Sequence, residues 1–212
     1  MSYKKVLQRL HSEADTSDAA LRATINPEMM QKAIHSPRSF YGDMKDQYLA
    51  IDETFGRFLY MSARMMRAKT IVEFGTSFGI STIYLAQALK ENGGGRLITT
   101  EYEESKIEVA RKNVSEAGLS AFVEFRQGDA LETLKNFGEE IDLLFLDGAK
   151  NLYVPLLELL NPYFRAGTFI ASDNSKMSPD FVSYLRNEKN GYCSTDISSR
   201  GDNELAIWTS VQ

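Results

Sequence analysis

Hydrophobic positions along the chain change their rhythm at Thr70. Before it they fall at helical spacing. Val6, Leu7 and Leu10 start the series, and Phe55, Phe58, Leu59, Met61, Met65 and Met66 form an apolar stripe of the kind that packs into a core. Asn26-Pro27 reads as a helix N-cap followed by proline at the first helical position. Residues 1–67 are therefore expected to form a helical cap. From Thr70 onward, short β-rich runs alternate with helical segments. Strand signals cover Thr70–Phe74, Arg96–Glu101, Ala121–Arg126, Ile141–Leu146 and Gly167–Ser172. Helical signals cover Ser81–Glu91, Ser105–Ala117, Ala130–Asn136 and Tyr153–Pro162, with Gly93-Gly94-Gly95 and Gly118 punctuating helix ends. Gly191–Asp196 and Glu204–Ser210 read as two successive strands that close the chain.

This alternation predicts an α/β fold: a Rossmann-like, doubly wound, seven-stranded sheet with helices on both faces. The closing strands make it mostly parallel with one antiparallel strand. The expected organisation is one domain over 1–212, with 1–67 as the cap and 68–212 as the core.

Composition narrows the function. The net charge of −5 and pI near 5.2 argue against nucleic acid, which needs clustered Lys and Arg against its phosphates. The run Arg64, Arg67 and Lys69 reads as the wet side of a helix. Cys193 is the single cysteine, so neither an internal disulfide nor a zinc-thiolate framework forms. No stretch approaches the roughly 20 apolar residues of a membrane span, and Met1 to Leu10 holds no apolar signal core. The expectation is a cytoplasmic protein without membrane or nucleic-acid partners. His11 and His35 both lie in the first fifth of the chain, which lowers the rank of a Ser-His-Asp triad or a histidine-rich zinc site.

Ligands of such sheets sit outside the carboxyl ends of the strands, near the first one. There the sequence reads Val72-Glu73-Phe74-Gly75-Thr76-Ser77-Phe78-Gly79-Ile80-Ser81-Thr82. Gly75 and Gly79 make a loop where backbone can approach a ligand closely. The loop lacks G-x-G-x-x-G, which disfavours a nicotinamide dinucleotide and fits a ligand without a diphosphate. Glu101, ending the second strand before Tyr102, is placed to accept hydrogen bonds from both hydroxyls of a ribose. Gly128-Asp129-Ala130 follows the third strand and borders the space an adenine ring would fill.

The sharpest signal is a pair of carboxylates. Ile141–Leu146 runs straight into Asp147, and Gly167–Ser172 into Asp173-Asn174. Neighbouring strands lie about 4.8 Å apart, so both tips can reach one cation. Two carboxylates and an amide oxygen are hard donors suited to Mg²⁺. Taken singly, each aspartate would more often cap a following helix. Lys150, one turn beyond Asp147, is positioned as a general base.

From Thr70 to Trp208 the chain resembles the cation-dependent O-methyltransferases, the family of catechol and caffeoyl-CoA O-methyltransferases. The resemblance rests on Val72–Thr82, Ile98–Glu101, Gly128–Ala130, Asp147-Gly-Ala-Lys150 with Tyr153, and Asp173-Asn174. It implies S-adenosylmethionine as cosubstrate, bound by Glu73, Gly75, Thr76, Ser77, Gly79, Ser81, Glu101, Tyr102, Asp129, Ala130 and Asp147. It implies Mg²⁺ or another divalent cation on Asp147, Asp173 and Asn174, and Lys150 as the catalytic base. The acceptor implied is a small hydroxylated molecule touching Lys150, Asn174 and Glu204. In the catechol enzymes a glutamate at the position resembling Glu204 holds the second hydroxyl, which points to a free diol. Family members include dimers, so a homodimer is a further expectation, with the helices before Thr70 as its interface. Residues 1–50 match no family motif, and Ser175-Lys-Met-Ser-Pro179 lacks the aromatic residue of the caffeoyl-CoA branch. Two other readings stay open: a metal-independent N- or carboxyl-methyltransferase, and a catalytically silent Rossmann-like binding module.

Overall fold

The chain enters the sheet only after four helices, two of which are started by a capping side chain. In the computed structural model, which describes residues 1–197 and 202–210, these are α1 (Tyr3–Thr24), α2 (Pro27–His35), α3 (Pro37–Asp43) and α4 (Glu53–Met65). The Asn26 side chain accepts from Met29 N at 2.9 Å and caps α2, with Pro27 in its first turn. Asp52 caps α4 in the same way through Phe55 N at 2.7 Å. Phe55, Leu59 and Ala63, four residues apart, form the buried face of α4.

Alternation of strand and helix then follows: β1 (Thr70–Phe74), α5 (Ile80–Glu91), β2 (Arg96–Glu101), α6 (Glu104–Glu116), β3 (Val123–Gln127), α7 (Ala130–Thr133), β4 (Ile141–Leu146), α8 (Tyr153–Leu160) and β5 (Phe164–Ser172). The chain closes with α9 (Pro179–Arg186), β6 (Tyr192–Asp196) and β7 (Glu204–Trp208). The seven strands form one sheet in the order β3-β2-β1-β4-β5-β7-β6. All pairings are parallel except those of β7, which runs antiparallel to both β5 and β6.

β1 is buried along its whole length, as a central parallel strand must be. Ile71, Leu97, Leu143 and Phe145 face a core shared with α1, α4 and α5, while Val72, Ile98, Leu144 and Leu146 face one shared with α8 and α9. Each such side chain, fully buried, contributes roughly 1.5–3 kcal/mol relative to exposure. Among the described residues no helix is long and apolar enough to cross a membrane.

The structure departs from the expected elements in three places. The helix expected over Ala130–Asn136 is the single turn α7, because Asn136 at φ 53° and Gly138 at φ 90° turn the chain away. β5 starts earlier, at Phe164, because Arg165 reaches across to Asp142 of β4 at 2.5 Å and Phe164 pairs with Ile141. The eight-residue α9 was not expected. It opens on Pro179 and buries Phe181 and Leu185, a spacing too brief to register as a stripe.

Candidate active site

The sheet order sends the chain from β1 outward to β2 on one side and to β4 on the other. The crevice between those two directions is where loops at the strand tips diverge. A cavity of about 290 Å³ opens there. Gly75, Ser77, Glu101, Tyr102, Asp129, Ala130 and Asp147 line it, all of them residues singled out by sequence. A smaller adjoining recess takes in Thr76 and Ser81.

The glycine loop is shaped by contact with both neighbouring strands. Gly75 N and Thr76 N donate to Thr100 O at 3.1 and 3.2 Å. Gly75 sits at φ +101°, and a Cβ there would stand 2.5 Å from Asp147 O. Only glycine allows the loop to rest on the tip of β4. Ser77 N donates to Glu101 Oε2 at 2.9 Å, while Tyr102 N and Glu103 N donate to Oε1 at 2.8 and 3.0 Å. Three backbone donors therefore fix the Glu101 carboxylate at the cavity wall.

Two predicted residues stand behind the wall instead. Glu73 is fully buried; Thr82 and Thr99 donate to its Oε2, both at 2.6 Å, and Oε1 has no partner. Burial pushes its carboxyl up to about 7 against the pull of the surrounding hydroxyls. Gly79 caps α5 with φ +89°, close to Ala110 of α6. Both hold the loop from behind.

At the strand tips, Asp147 and Asp173 converge on Lys150. The Lys150 Nζ lies 3.5 Å from Asp147 Oδ1 and donates to Asp173 O at 3.1 Å and to Tyr153 Oη at 2.7 Å. Asn203 Nδ2 donates to Asp173 Oδ1 at 2.8 Å. Burial drives the Asp147 carboxyl well above the ordinary range; Lys150 opposes that, and the charge of Asp173 adds to it. Burial likewise raises Asp173, again against Lys150. Asn174 follows with a left-handed backbone, φ 50°, and an exposed side chain. Lys150 thus pairs directly with the Asp147 carboxylate and holds Asp173 through its backbone carbonyl, while the Asp173 carboxyl takes its contact from the Asn203 amide. Among the described residues no three His, Cys, Asp or Glu side chains gather as a metal cluster. The hard oxygens of two aspartates and an asparagine fit Mg²⁺ rather than zinc.

Glu204 is placed apart from the cavity. It is 1 % exposed, and Arg186 of α9 grips it with Nε to Oε1 at 2.9 Å and Nη2 to Oε2 at 2.8 Å. Gly201, which opens that segment, lies outside the described residues.

Sequence reasoning missed the roof of the cavity. Arg38 of α3 pairs with Asp129 at 2.9 Å and lies over the Tyr102 ring. Tyr41 donates to Gly148 O at 3.3 Å, and burial takes its phenol far above the ordinary value. Leu49, at φ 49°, lines both cavity and recess. Lys106 lines the cavity from α6. None of the four belongs to a motif, and the only clue is that Lys106 adjoins the buried face Ile107, Ala110 and Val114.

With this geometry established, comparison with known proteins adds three findings. A family model described as "Methyltransferase domain" matches residues 72–175. Among curated relatives, a catechol O-methyltransferase of Niastella koreensis is 38 % identical over 130 residues, covering 59 % of this chain and 58 % of that protein. Catechol O-methyltransferase B of Danio rerio is 30 % identical over 196 residues, covering 81 % of this chain and 72 % of that protein. The chain thus spans less than two thirds of the first relative's length. Among solved structures, the O-methyltransferase TomG of Streptomyces achromogenes in complex with SAM superposes with a TM-score of 0.69 at 27 % identity, covering 94 % of this chain and 98 % of that one.

Proposed function

This chain belongs to the catechol and caffeoyl-CoA O-methyltransferase family, and from that premise we propose that it moves a methyl group from S-adenosylmethionine to a hydroxyl of a small catechol-like or vicinal-diol acceptor, assisted by a divalent cation such as Mg²⁺. One observation carries the reading: Asp147 lines the cavity and pairs with Lys150, whose Nζ also donates to the Asp173 backbone carbonyl, so the acidic tips of two adjacent strands come together beside a cavity of about 290 Å³.

Glu101 accepts from the ribose hydroxyls, since its carboxylate is already oriented by three backbone donors. The glycine loop lets the backbone of Gly75 and Ser77 approach the cosubstrate, and Asp129 and Ala130 border its adenine. Asp147, Asp173 and Asn174 would hold the cation. When bound, the cation would supply Lewis acidity that lowers the pKa of an acceptor hydroxyl. Lys150 acts as base only after its ammonium has given one proton to solvent; the free amine then takes the hydroxyl proton on Nζ, the new O–C bond forms as the C–S bond breaks, and S-adenosylhomocysteine leaves. Beyond that proton, the chain's work is alignment and charge placement. Glu204 reaches an acceptor hydroxyl only by releasing Arg186.

The test compares wild type, Asp147→Ala and Lys150→Ala with a catechol, S-adenosylmethionine and either Mg²⁺ or a chelator. Transfer is expected only from the wild type with Mg²⁺. Undiminished transfer under chelation, or from Asp147→Ala, removes the metal from the reaction. A second reading keeps the cosubstrate without the metal, methylating nitrogen or a carboxylate; the 3.5 Å approach of Lys150 to Asp147 favours it, because the ammonium already supplies a counter-charge.

A further inference from the structure

Between α3 and α4, residues 44–52 form no regular element, yet they are held from three sides. From α1, the buried Asp18 carboxylate accepts from Tyr48 N at 2.9 Å and Ala50 N at 3.5 Å. From the glycine loop, Ser77 Oγ donates to Tyr48 O at 2.6 Å. From α6, Lys106 Nζ donates to Gln47 O at 2.9 Å and to Ser77 Oγ at 3.2 Å. One ammonium thus ties the strap both to itself and to the loop, and the strap's Leu49 is kept in a left-handed conformation that leucine rarely adopts. A conformation of that kind persists only where its surroundings over-determine it, and such places cluster at ligand clamps.

The position of this strap gives the ties their meaning. Tyr48, Leu49 and Ala50 line the recess together with Thr76 and Ser81, and Leu49 also lines the main cavity. The strap is therefore a wall of the space assigned to S-adenosylmethionine. Lys106 is 4 % exposed and both its acceptors are uncharged, an unusual placement for an ammonium. Burial pulls its pKa below the ordinary lysine value, against the surrounding carboxylates of Glu101, Asp18, Glu103 and Asp147, which favour its charge while its hydrogen bonds go to Gln47 O and Ser77 Oγ. A surface-facing lysine would reach water instead. This one spends its donors on the two segments that must stay together for the wall to exist.

We propose that Lys106 is a cosubstrate-positioning residue: it latches the 44–52 strap onto the glycine loop and so governs how long S-adenosylmethionine and S-adenosylhomocysteine stay bound. The proposal rests on the cosubstrate reading above but not on the metal or the acceptor. Loss of a charged donor to neutral acceptors corresponds to about a tenfold effect.

The experiment measures S-adenosylhomocysteine release by stopped-flow, and hydrogen exchange of the Tyr48 and Ala50 amides, in wild type and Lys106→Met. Release is expected to quicken about tenfold, with both amides exchanging faster while those of β1 and β4 keep their protection. A merely structural role would lower protection throughout and leave release in proportion to stability. Wild-type release from Lys106→Met, or unchanged exchange at Tyr48 and Ala50, overturns the latch. Should Lys106→Met not fold, Asp18→Ala frees the same strap from the side away from the cavity; faster release supports the proposal and wild-type release overturns it. If the wild type binds no S-adenosylhomocysteine, the cosubstrate reading and this positioning role fall together; if it binds and the variants release it at the wild-type rate, this role falls alone.

Discussion

The Tyr153 hydroxyl accepts a hydrogen bond from the Lys150 ammonium at 2.7 Å and donates to Leu146 O at 2.8 Å, with Asp173 O 3.1 Å away. One phenol therefore ties the proposed base to the tips of both strands that carry aspartates. Its burial, with the charges of Asp147 and Asp173 nearby, holds the phenol well above its ordinary pKa, so it stays a donor.

Tyr153→Phe removes that tie and leaves a buried carbonyl short of a donor. The expected cost is about 1–3 kcal/mol of stability. Turnover should fall roughly tenfold or more as Lys150 loses its orientation, while S-adenosylhomocysteine affinity, which does not involve Tyr153, stays at the wild-type value. Denaturant unfolding, steady-state turnover and calorimetry check the three parts.

Tyr153 also shows how far the sequence could be read. Its motif, Asp147-Gly-Ala-Lys150 followed by Tyr153, was visible because a strand period ends at Leu146 and chemistry begins at the next residue. β1, β2 and β4 run over the expected residues because their apolar runs are bounded by charged or glycine positions on both sides. The cavity's roof was not legible. Arg38, Tyr41 and Leu49 reach it through the packing of α2, α3 and the strap, and a tertiary contact leaves no periodicity behind. Glu204 shows the converse limit: its place in the chain is readable, but its partner Arg186, on a helix the pattern did not announce, is not.

Glu73 should make stability fall with pH. Its folded carboxyl is raised to about 7 from an ordinary 4.5, so the folded state holds a proton that the unfolded chain has lost. The contribution is neutral below about 4.5, becomes increasingly unfavourable between 4.5 and 7, and is constant above. The full effect is on the order of 3 kcal/mol. Glu73→Gln should therefore be more stable than wild type at pH 8 and lose that advantage by pH 4.5. Urea unfolding across this window checks it, and parallel curves for the two proteins would contradict it.

Gly75→Ala tests the close approach of the loop to β4. The left-handed φ of +101° and a Cβ 2.5 Å from Asp147 O act together, and neither neighbour is a flexible side chain. A destabilisation of about 2 kcal/mol or more is expected. S-adenosylhomocysteine affinity should fall with it, because the loop must lift away from Asp147.

Arg186→Ala strands a carboxylate that is 1 % exposed. About 2 kcal/mol of destabilisation is expected, below the roughly 3–5 kcal/mol of a fully buried pair because Arg186 itself is half exposed. Adding Glu204→Gln should restore part of it, since the orphaned charge is then gone. If the double variant is no better than the single, the loss comes from packing of the arginine stem.

Asp173→Asn separates a charge deficit from a metal requirement. The substitution keeps an oxygen for the Asn203 amide, at 2.8 Å in the wild type, and removes a charge that acts on the neighbouring Asp147 carboxyl. Without metal, the variant should therefore be as stable as wild type or more so, because repulsion on Asp147 is relieved. With Mg²⁺ the order should invert. A cation that binds only the folded state adds about 1.4 kcal/mol at ten times its dissociation constant, and only wild type retains both carboxylates to hold it. Thermal unfolding midpoints with and without Mg²⁺ decide the matter without any assay of turnover. A wild-type midpoint that Mg²⁺ leaves in place would mean that the two aspartates hold no cation, and the reaction would then have to proceed on protein groups alone.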